Sequence, residues 1–124
     1  MIVGIGIDII EVDRIAGAIE RYGEHFLRRI YTDAERQYCE RAAASRLLHY
    51  AARFAAKEAF SKAIGTGITQ GFRFRDCGVL NQPSGQPTIV LAGMLAEVWG
   101  RHRIHLSLSH TRHSAVACVV IESP

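Results

Sequence analysis

The sequence predicts an α+β fold in which helices pack against a largely antiparallel sheet. Residues 2–10 are β-branched and punctuated by glycine, which is typical of a buried strand. Helical periodicity follows directly, and residues 104–121 have the pattern of a β-hairpin. A strand, a run of helices and a closing hairpin are characteristic of α+β proteins.

The first two helices are predicted from periodicity and capping. Apolar residues recur every three or four positions after Glu11, and these are Val12, Ile15, Ile19 and Tyr22. Gly23 then ends this helix. Thr32 with Glu35 forms a capping box, which opens a second helix that runs to about Arg41.

The third predicted helix is longer, with Ser45 as its N-cap and its end near Ile64. One stripe of this helix consists mostly of small residues, namely Leu48, Ala52, Ala55, Ala59 and Ala63. Small side chains permit close backbone packing, so we expect another element to lie against this stripe. The glycines of residues 65–67 end the helix.

The second half of the chain predicts strands and one more helix. Residues 72–80 form a strand that enters a turn at 81–85, and residues 88–91 form a short return strand. A helix follows around Met94, Leu95, Val98 and Trp99. Ile104, Leu106 and Leu108 then alternate with polar residues, as in a half-buried strand. Residues 110–113 are the turn before the last strand, 114–121.

Composition and charge limit the function without naming it. A chain of 124 residues with 48% hydrophobic and 22% charged residues is typical of one globular domain, here residues 1–124. The net charge of +3 and the pI near 9.0 favour anionic partners. Because no basic run with interleaved aromatic residues is present, we expect no nucleic-acid binding.

The cysteines and the N-terminal segment indicate a reduced, cytoplasmic protein. Cys39, Cys77 and Cys118 are odd in number, widely spaced and without a CxxC pair, so the pattern suggests neither a disulfide framework nor a cysteine zinc site. The apolar start lacks a basic leader, is interrupted by Asp8 and is too short to span a bilayer. We therefore expect no membrane attachment.

Asp8 is the only charge in the first predicted strand. An ionised carboxylate among apolar residues costs several kcal/mol unless a cation, hydrogen bonds or a strand-end position compensates it. One interpretation is a functional carboxylate that binds a cation. The other is an acidic start or N-cap of the helix that begins near Glu11, and the residues alone leave both open.

Glu58 and Lys62 lie four residues apart and so share one face of the long helix, with Arg53 on or beside that face. An exposed pair at this spacing is common and contributes only about 0.3–0.5 kcal/mol. A functional interpretation requires Glu58 to meet Asp8, because two adjacent carboxylates need a divalent cation or a raised pKa. Hard oxygen ligands of this kind suit Mg²⁺.

Two familiar site types are excluded by spacing. Gly4 and Gly6 lie within a strand and Ile9 takes the place of a third glycine, so no dinucleotide-binding loop is present. Gly65 is more simply a helix C-cap, although a glycine turn also lets a ligand approach the backbone. The turn at 110–113 offers donors to an anion, but its two histidines are too few for zinc.

Three segments together resemble the holo-[acyl-carrier-protein] synthase family, the small bacterial phosphopantetheinyl transferases. They are GIGIDIIEVDRI at 4–15, RFAAKEAFSKAIGTG at 53–67 and LSHT at 108–111. Their order and the chain length also agree with the family. The resemblance implies the phosphopantetheinyl transferase-like fold, a variant of the α+β class predicted above.

The resemblance also implies a site. Asp8 and Glu58 would be Mg²⁺ ligands, and Lys62 would bind the phosphates of coenzyme A. Side chains and a turn that would help bind the nucleotide end are Arg53, Gly65, His110 and Thr111. The role of Lys57 stays open.

The implied reaction moves 4'-phosphopantetheine from coenzyme A to a serine of apo acyl carrier protein and leaves adenosine 3',5'-bisphosphate, in support of fatty acid biosynthesis. The serine hydroxyl attacks the β-phosphate, and either Glu58 or a metal-bound water accepts its proton. Family members of this short type are homotrimers with active sites between subunits.

The implied carrier protein is acidic and helical, so exposed arginines are candidates for docking it. Arg14 and Arg21 lie seven residues apart on one helical face, and Arg28 extends that direction past Gly23. The alternative is an ordinary solvated face. Two rival functions are another Mg²⁺-dependent enzyme acting on a nucleotide diphosphate and a non-catalytic module that binds coenzyme A or carrier protein.

Overall fold

The computed structural model describes residues 1–68 and 72–124. Ten main elements occur in these residues: β1 (Ile2–Glu11), α1 (Val12–Tyr22), α2 (Glu24–Ile30), α3 (Asp33–Glu40), α4 (Arg46–Ala63), β2 (Cys77–Asn81), β3 (Pro87–Leu91), α5 (Gly93–Trp99), β4 (Arg103–His110) and β5 (Ser114–Glu122). Short 3₁₀ turns occur at Ala43–Ser45 and Phe74–Asp76.

The strands form two antiparallel sheets. The larger has the order β1-β5-β4, and the smaller pairs β2 with β3. Helix α4 lies across the larger sheet, and α1 and α3 pack against α4. The predicted α+β class and the C-terminal hairpin are confirmed. In the described part of the chain, no helix has the length and apolar character needed to cross a membrane.

Close contact between β1 and α4 explains the glycines of the first strand. A Cβ atom on Gly4 would lie 2.0 Å from the backbone oxygen of Ala63, and one on Gly6 would lie 2.0 Å from that of Ala59. The two backbones therefore touch, as the stripe of small residues on α4 predicted. This approach places Asp8 beside the C-terminal half of α4.

We predict that Gly6→Ala lowers the free energy of unfolding by about 2 kcal/mol, because the new methyl group must displace backbone atoms. Urea denaturation measures the loss. Gly17→Ala on α1 is the matched control, since a Cβ at that position meets no atom within 4 Å. Equal midpoints for Gly6→Ala and the unmodified protein would contradict the close approach.

Helix α2 was not predicted from the sequence. Gly23 has a φ of 54°, which ends α1 and starts α2 at the next residue. The short helix buries Leu27 and Ile30 in the core. The predicted capping box is confirmed, because Thr32 Oγ1 accepts a hydrogen bond from the Glu35 backbone and Glu35 Oε1 accepts one from Thr32 N.

Ser45 is the N-cap of α4, which begins at Arg46 as predicted, but the Ser45 side chain makes no capping hydrogen bond. One predicted strand boundary is wrong. The strand predicted from residue 72 begins at Cys77, after the 3₁₀ turn. The turn forms because aromatic packing overrides strand propensity there: the rings of Phe54 and Phe74 stack with centroids 5.7 Å apart.

The face of the larger sheet opposite α4 is open and partly apolar. Ile5, Ile7 and Ile9 on β1 are 67%, 61% and 69% exposed. They lie beside Val120, Cys118 and Val116 of β5, and the next residues across, on β4, are His105, Ser107 and Ser109. The β1 side of this face is therefore an exposed apolar patch of the kind that usually contacts a partner.

Candidate active site

Asp8 and Lys62 form the centre of the candidate site. Lys62 Nζ donates to Asp8 Oδ1 at 3.0 Å and to the backbone oxygen of Ile7 at 3.0 Å. The Asp8 side chain is 16% exposed, whereas that of Lys62 is half exposed. The cation that compensates Asp8 is thus the ammonium group of Lys62. Because this side chain is half exposed, it can also contact a ligand from solvent.

Glu58 joins this pair. Its pKa is raised, first by desolvation and then by the negative charge of Asp8, while Lys62 and Arg14 oppose the rise. Glu58 lies one helical turn before Lys62 on the same side of α4, and Lys62 contacts Asp8, so the fold brings the two carboxylates to the same side of the helix, as the functional interpretation required. Arg14, in the first turn of α1, is the more distant of the two positive charges that act on Glu58.

The donor set fits Mg²⁺. Two carboxylates lie together with one lysine beside them, and Mg²⁺ is typically bound by one or two carboxylates, waters and substrate phosphates. Over residues 1–68 and 72–124, no cluster of three or more His, Cys, Asp or Glu residues could hold a metal. Asp8 and Glu58 would therefore hold the ion together with phosphate oxygens of a substrate.

Arg53 lies elsewhere, and its expected position on or beside the face of Glu58 and Lys62 is wrong. Nine residues separate Arg53 from Lys62, which is about two and a half helical turns, so their side chains leave α4 on opposite sides. Arg53 is 2% exposed. Its Nη2 donates to Asn81 Oδ1, and its guanidinium lies 4.1 Å from the ring centroid of Tyr38.

A cavity of about 280 Å³ adjoins Arg53. His49, Asn81 and His110 also line it. Within the described residues, the buried Nε of Arg53 has no hydrogen-bond partner. The pKa of His49 is lowered by burial and by the positive charges of Arg53 and His110. Basic side chains thus converge on this cavity, which suits an anionic ligand.

His49, Asn81 and Tyr38 were not identified from the sequence. They come from α4, β2 and α3, and no regular spacing links them to Arg53. Asn81 was assigned only to a turn. Its amide nitrogen donates to the backbone oxygen of Gly85, so the same side chain orders the β2–β3 turn and holds Arg53.

The remaining predicted ligand groups lie in turns. Thr111 Oγ1 accepts hydrogen bonds from the backbone nitrogens of His113 and Ser114 at 3.2 and 3.1 Å, and so closes the β4–β5 turn. Gly65 has a φ of 86°, and its nitrogen donates to the backbone oxygen of Lys62. The C-cap interpretation of Gly65 is confirmed, and a ligand contact by either residue stays a prediction.

The site residues therefore form two groups, which we name the carboxylate group (Asp8, Glu58 and Lys62) and the arginine group (Arg53, His49 and His110). Asp8 lies on β1 and His110 on β4, with β5 between them. The spacing of strands puts these backbones about 10 Å apart, and α4 separates Lys62 from Arg53. The two groups therefore lie on opposite edge strands of the larger sheet and on opposite sides of α4.

Lys57 is a buried structural residue, which answers the question that the sequence left open. Its Nζ donates to Glu35 Oε1 at 2.8 Å and to the backbone oxygens of Phe74 and Cys77 at 3.0 and 2.7 Å. Both side chains of the ion pair are fully buried. Glu35 Oε2 also accepts from Val79 N, so the pair joins α3, α4 and β2.

The three candidate docking arginines lie on two different helices. Arg14 and Arg21 are exposed on α1 and line one shallow depression. Arg28 is exposed on α2, and its charge acts on Glu24. The helical face expected to extend past Gly23 does not continue as one helix. Among the residues described, none of the three arginines has an acidic partner within 4.0 Å.

Comparison with known proteins identifies the family of the chain. A family model described as the 4'-phosphopantetheinyl transferase superfamily matches residues 4–120. The holo-[acyl-carrier-protein] synthase of Koribacter versatilis is 52% identical over 125 residues, which cover 98% of this chain and 99% of that protein.

Solved structures give the same result. A holo-(acyl-carrier-protein) synthase from Bacillus anthracis in complex with CoA (3',5'-ADP) is 45% identical, with a TM-score of 0.84 over 100% of this chain and 99% of that one. Holo-[acyl-carrier-protein] synthase from Neisseria meningitidis is 37% identical, with a TM-score of 0.89 over 99% and 100%. The chain therefore belongs to the 4'-phosphopantetheinyl transferase superfamily.

Proposed function

We propose that the chain transfers 4'-phosphopantetheine from coenzyme A to a serine of apo acyl carrier protein, with Mg²⁺, and so serves fatty acid biosynthesis. The observation that carries the proposal is the meeting of Asp8, Glu58 and Lys62 at one partly exposed site. This donor set suits a metal-bound diphosphate, and the relatives that share the fold are named for this reaction.

The side chains of the carboxylate group have separate roles in the reaction. Lys62 can turn from Asp8 toward the diphosphate and balance charge on its oxygens. Mg²⁺, when bound by Asp8 and Glu58, supplies further positive charge at the phosphoryl group. The serine oxygen forms a bond to the β-phosphorus, and the bond from that phosphorus to the oxygen bridging the two phosphates breaks. Adenosine 3',5'-bisphosphate leaves with that bridging oxygen.

The serine proton needs an acceptor near the phosphorus. Glu58 is one candidate, because it is a carboxylate at this site, and in the metal-free chain burial and Asp8 raise its pKa. A water held at the same site is the other candidate. The arginine group would bind the nucleotide end of coenzyme A, since its cavity presents basic side chains to an anion.

A shared site between subunits follows from the separation of the two groups. If the β1 side of one copy meets the β4 side of the next, the carboxylate group of one chain adjoins the arginine group of another. Such a head-to-tail contact forms a closed ring when the rotation between copies closes, and an open filament when it does not. The exposed isoleucines of β1 offer apolar surface for it. We propose the homotrimer that the sequence resemblance implied.

We predict that the protein is a trimer and that Ile7→Glu converts it to a monomer, because a carboxylate in the apolar patch opposes association. Light scattering on a size-exclusion column gives the mass of each form. Transfer activity should fall at least a hundredfold when the trimer is lost. Full activity of an unmodified monomer at assay concentration would contradict both the trimer and the shared site.

One assay tests the function itself. The protein is mixed with apo acyl carrier protein, coenzyme A and Mg²⁺, and the carrier is weighed by mass spectrometry. We expect the carrier to gain one phosphopantetheinyl group. Binding without a mass change would support a non-catalytic module, and hydrolysis of other nucleotides without carrier modification would support a different Mg²⁺ enzyme. A cytoplasmic location is part of this proposal.

Docking of the carrier protein is assigned to Arg14, Arg21 and Arg28. We predict that Arg21→Glu raises the KM for the carrier at least tenfold and leaves the KM for coenzyme A within twofold, because a reversed charge repels an acidic partner. The effect should shrink with added salt, which screens exposed charges over about 8 Å at physiological ionic strength. An unchanged carrier KM in both Arg14→Glu and Arg21→Glu would assign the arginines to a solvated face.

A further inference from the structure

His49 is a half-buried histidine on the wall of the cavity beside Arg53. It lies on α4 one turn before Arg53, so the two side chains share one face of the helix. Its ring packs against that of Tyr38 on α3 in a T-shaped arrangement, with centroids 5.1 Å apart. Within residues 1–68 and 72–124, Arg53 is held by Asn81, whereas the His49 side chain makes no hydrogen bond. The imidazole is therefore available to a ligand in the cavity.

The charges that act on His49 are all positive. Burial, and then the charges of Arg53 on α4 and His110 on β4, hold the pKa of His49 below its usual 6.5. The phenol of Tyr38 and the amide of Asn81 face the same cavity without a formal charge. In the described part of the chain, no carboxylate acts on His49. The imidazole is therefore mainly neutral at neutral pH while the cavity holds no anion.

A bound anion would reverse this balance. The nearest carboxylate on α3 cannot do so, because Glu40 is paired with Arg46, one turn before His49, at 2.7 Å. A phosphate group between His49 and Arg53 would bring negative charge to the imidazole, favour its protonated form and accept a charge-assisted hydrogen bond from it. The pKa of His49 is then higher in the complex than in the free chain, which couples ligand binding to proton uptake.

We propose that His49 is a proton-coupled ligand of the nucleotide: it is neutral in the free cavity and takes up a proton from solvent when a phosphate group of the substrate binds beside Arg53. The inference rests on the proposed use of coenzyme A. A histidine at this position adds a cationic contact to the complex, yet it spares the free chain the repulsion of a permanent cation next to Arg53. The proton returns to solvent when adenosine 3',5'-bisphosphate leaves.

The coupling sets the direction of the pH dependence. Because the pKa of His49 is higher in the complex, its contribution to binding grows as the pH falls through that higher value and is complete below the pKa of the free chain. Each unit of difference between the two values changes the Kd by at most about tenfold. The phosphate of the nucleotide also gains a proton, at about pH 6, which weakens binding to a basic site. The His49 effect is therefore the difference between the unmodified protein and a variant with the same ligand.

Isothermal titration calorimetry with adenosine 3',5'-bisphosphate measures the proton uptake. Titrations in buffers of different ionisation enthalpy give the number of protons that bind with the nucleotide. At neutral pH we expect His49→Gln and His49→Phe to take up about half a proton less than the unmodified protein. Below the pKa of the complex, both should also bind the nucleotide about tenfold more weakly. His25→Gln is the matched control and should change neither value, because His25 is exposed on α2 and does not line the cavity.

Three results would overturn the inference. One is equal proton uptake in the unmodified protein, His49→Gln and His49→Phe, which would leave the phosphate of the nucleotide as the titrating group. Another is loss of the uptake in His110→Gln but not in the two His49 variants, which would assign the proton to His110. If the unmodified protein bound no adenosine 3',5'-bisphosphate at any pH, the proposed use of coenzyme A would fail, and the inference would fail with it.

Discussion

Glu58→Gln is expected to reduce phosphopantetheine transfer at least a thousandfold while leaving the fold intact. The substitution removes a negative charge that would hold Mg²⁺ and accept a proton, but it keeps the size and helix propensity of the side chain. Among the described residues, the Glu58 side chain makes no hydrogen bond, and Ser61 donates to its backbone oxygen, which the change preserves.

Steady-state kinetics and urea denaturation measure the two properties separately. The unfolding midpoint should not fall, since burial and the nearby Asp8 disfavour the charged form of Glu58. Glu97→Gln on α5 is the matched control and should be fully active, because that glutamate is exposed and belongs to neither site group. Near-normal Mg²⁺-dependent turnover in Glu58→Gln would reduce Glu58 to an ordinary helix-surface charge.

Lys57→Met is expected to lower the free energy of unfolding by about 3–5 kcal/mol. The change leaves the Glu35 carboxylate fully buried without its cation, and it also removes the donor to the backbone oxygens of Phe74 and Cys77. Such a loss is a large part of the stability of a domain of this size. Thermal and urea unfolding would measure it.

Two further variants separate structure from chemistry. The double variant Glu35→Gln with Lys57→Met should recover part of the stability, because no buried charge is then unpaired. Lys62→Met on the same helix should lower stability much less than Lys57→Met, since Lys62 is half exposed and Asp8 keeps partial contact with solvent, yet it should abolish transfer. Equal stability losses in Lys57→Met and Lys62→Met would refute the division of roles.

Local sequence signals were sufficient for most of the framework. The capping box of Thr32 and Glu35, the small-residue stripe of α4 and the alternation around Leu106 each depend on neighbours within a few residues. These signals act through backbone propensity and side-chain period, so they can be recognised in the sequence without knowledge of the fold. The carboxylates and lysine of the site were also identified, although through a family resemblance as well as spacing.

The tertiary structure determined which residues from distant segments are in contact. Only the packing of β1 on α4 shows that Lys62 reaches Asp8, and only the fold shows that Lys57 meets Glu35 from another helix. Arg53 is a different case, because its spacing from Lys62 already puts the two side chains on opposite sides of α4. Only its partner Asn81 required knowledge of the fold. Contacts between distant segments depend on how the elements pack, which residue spacing along one helix does not encode. For the same reason the separation of the site residues into two groups became visible only in the folded structure.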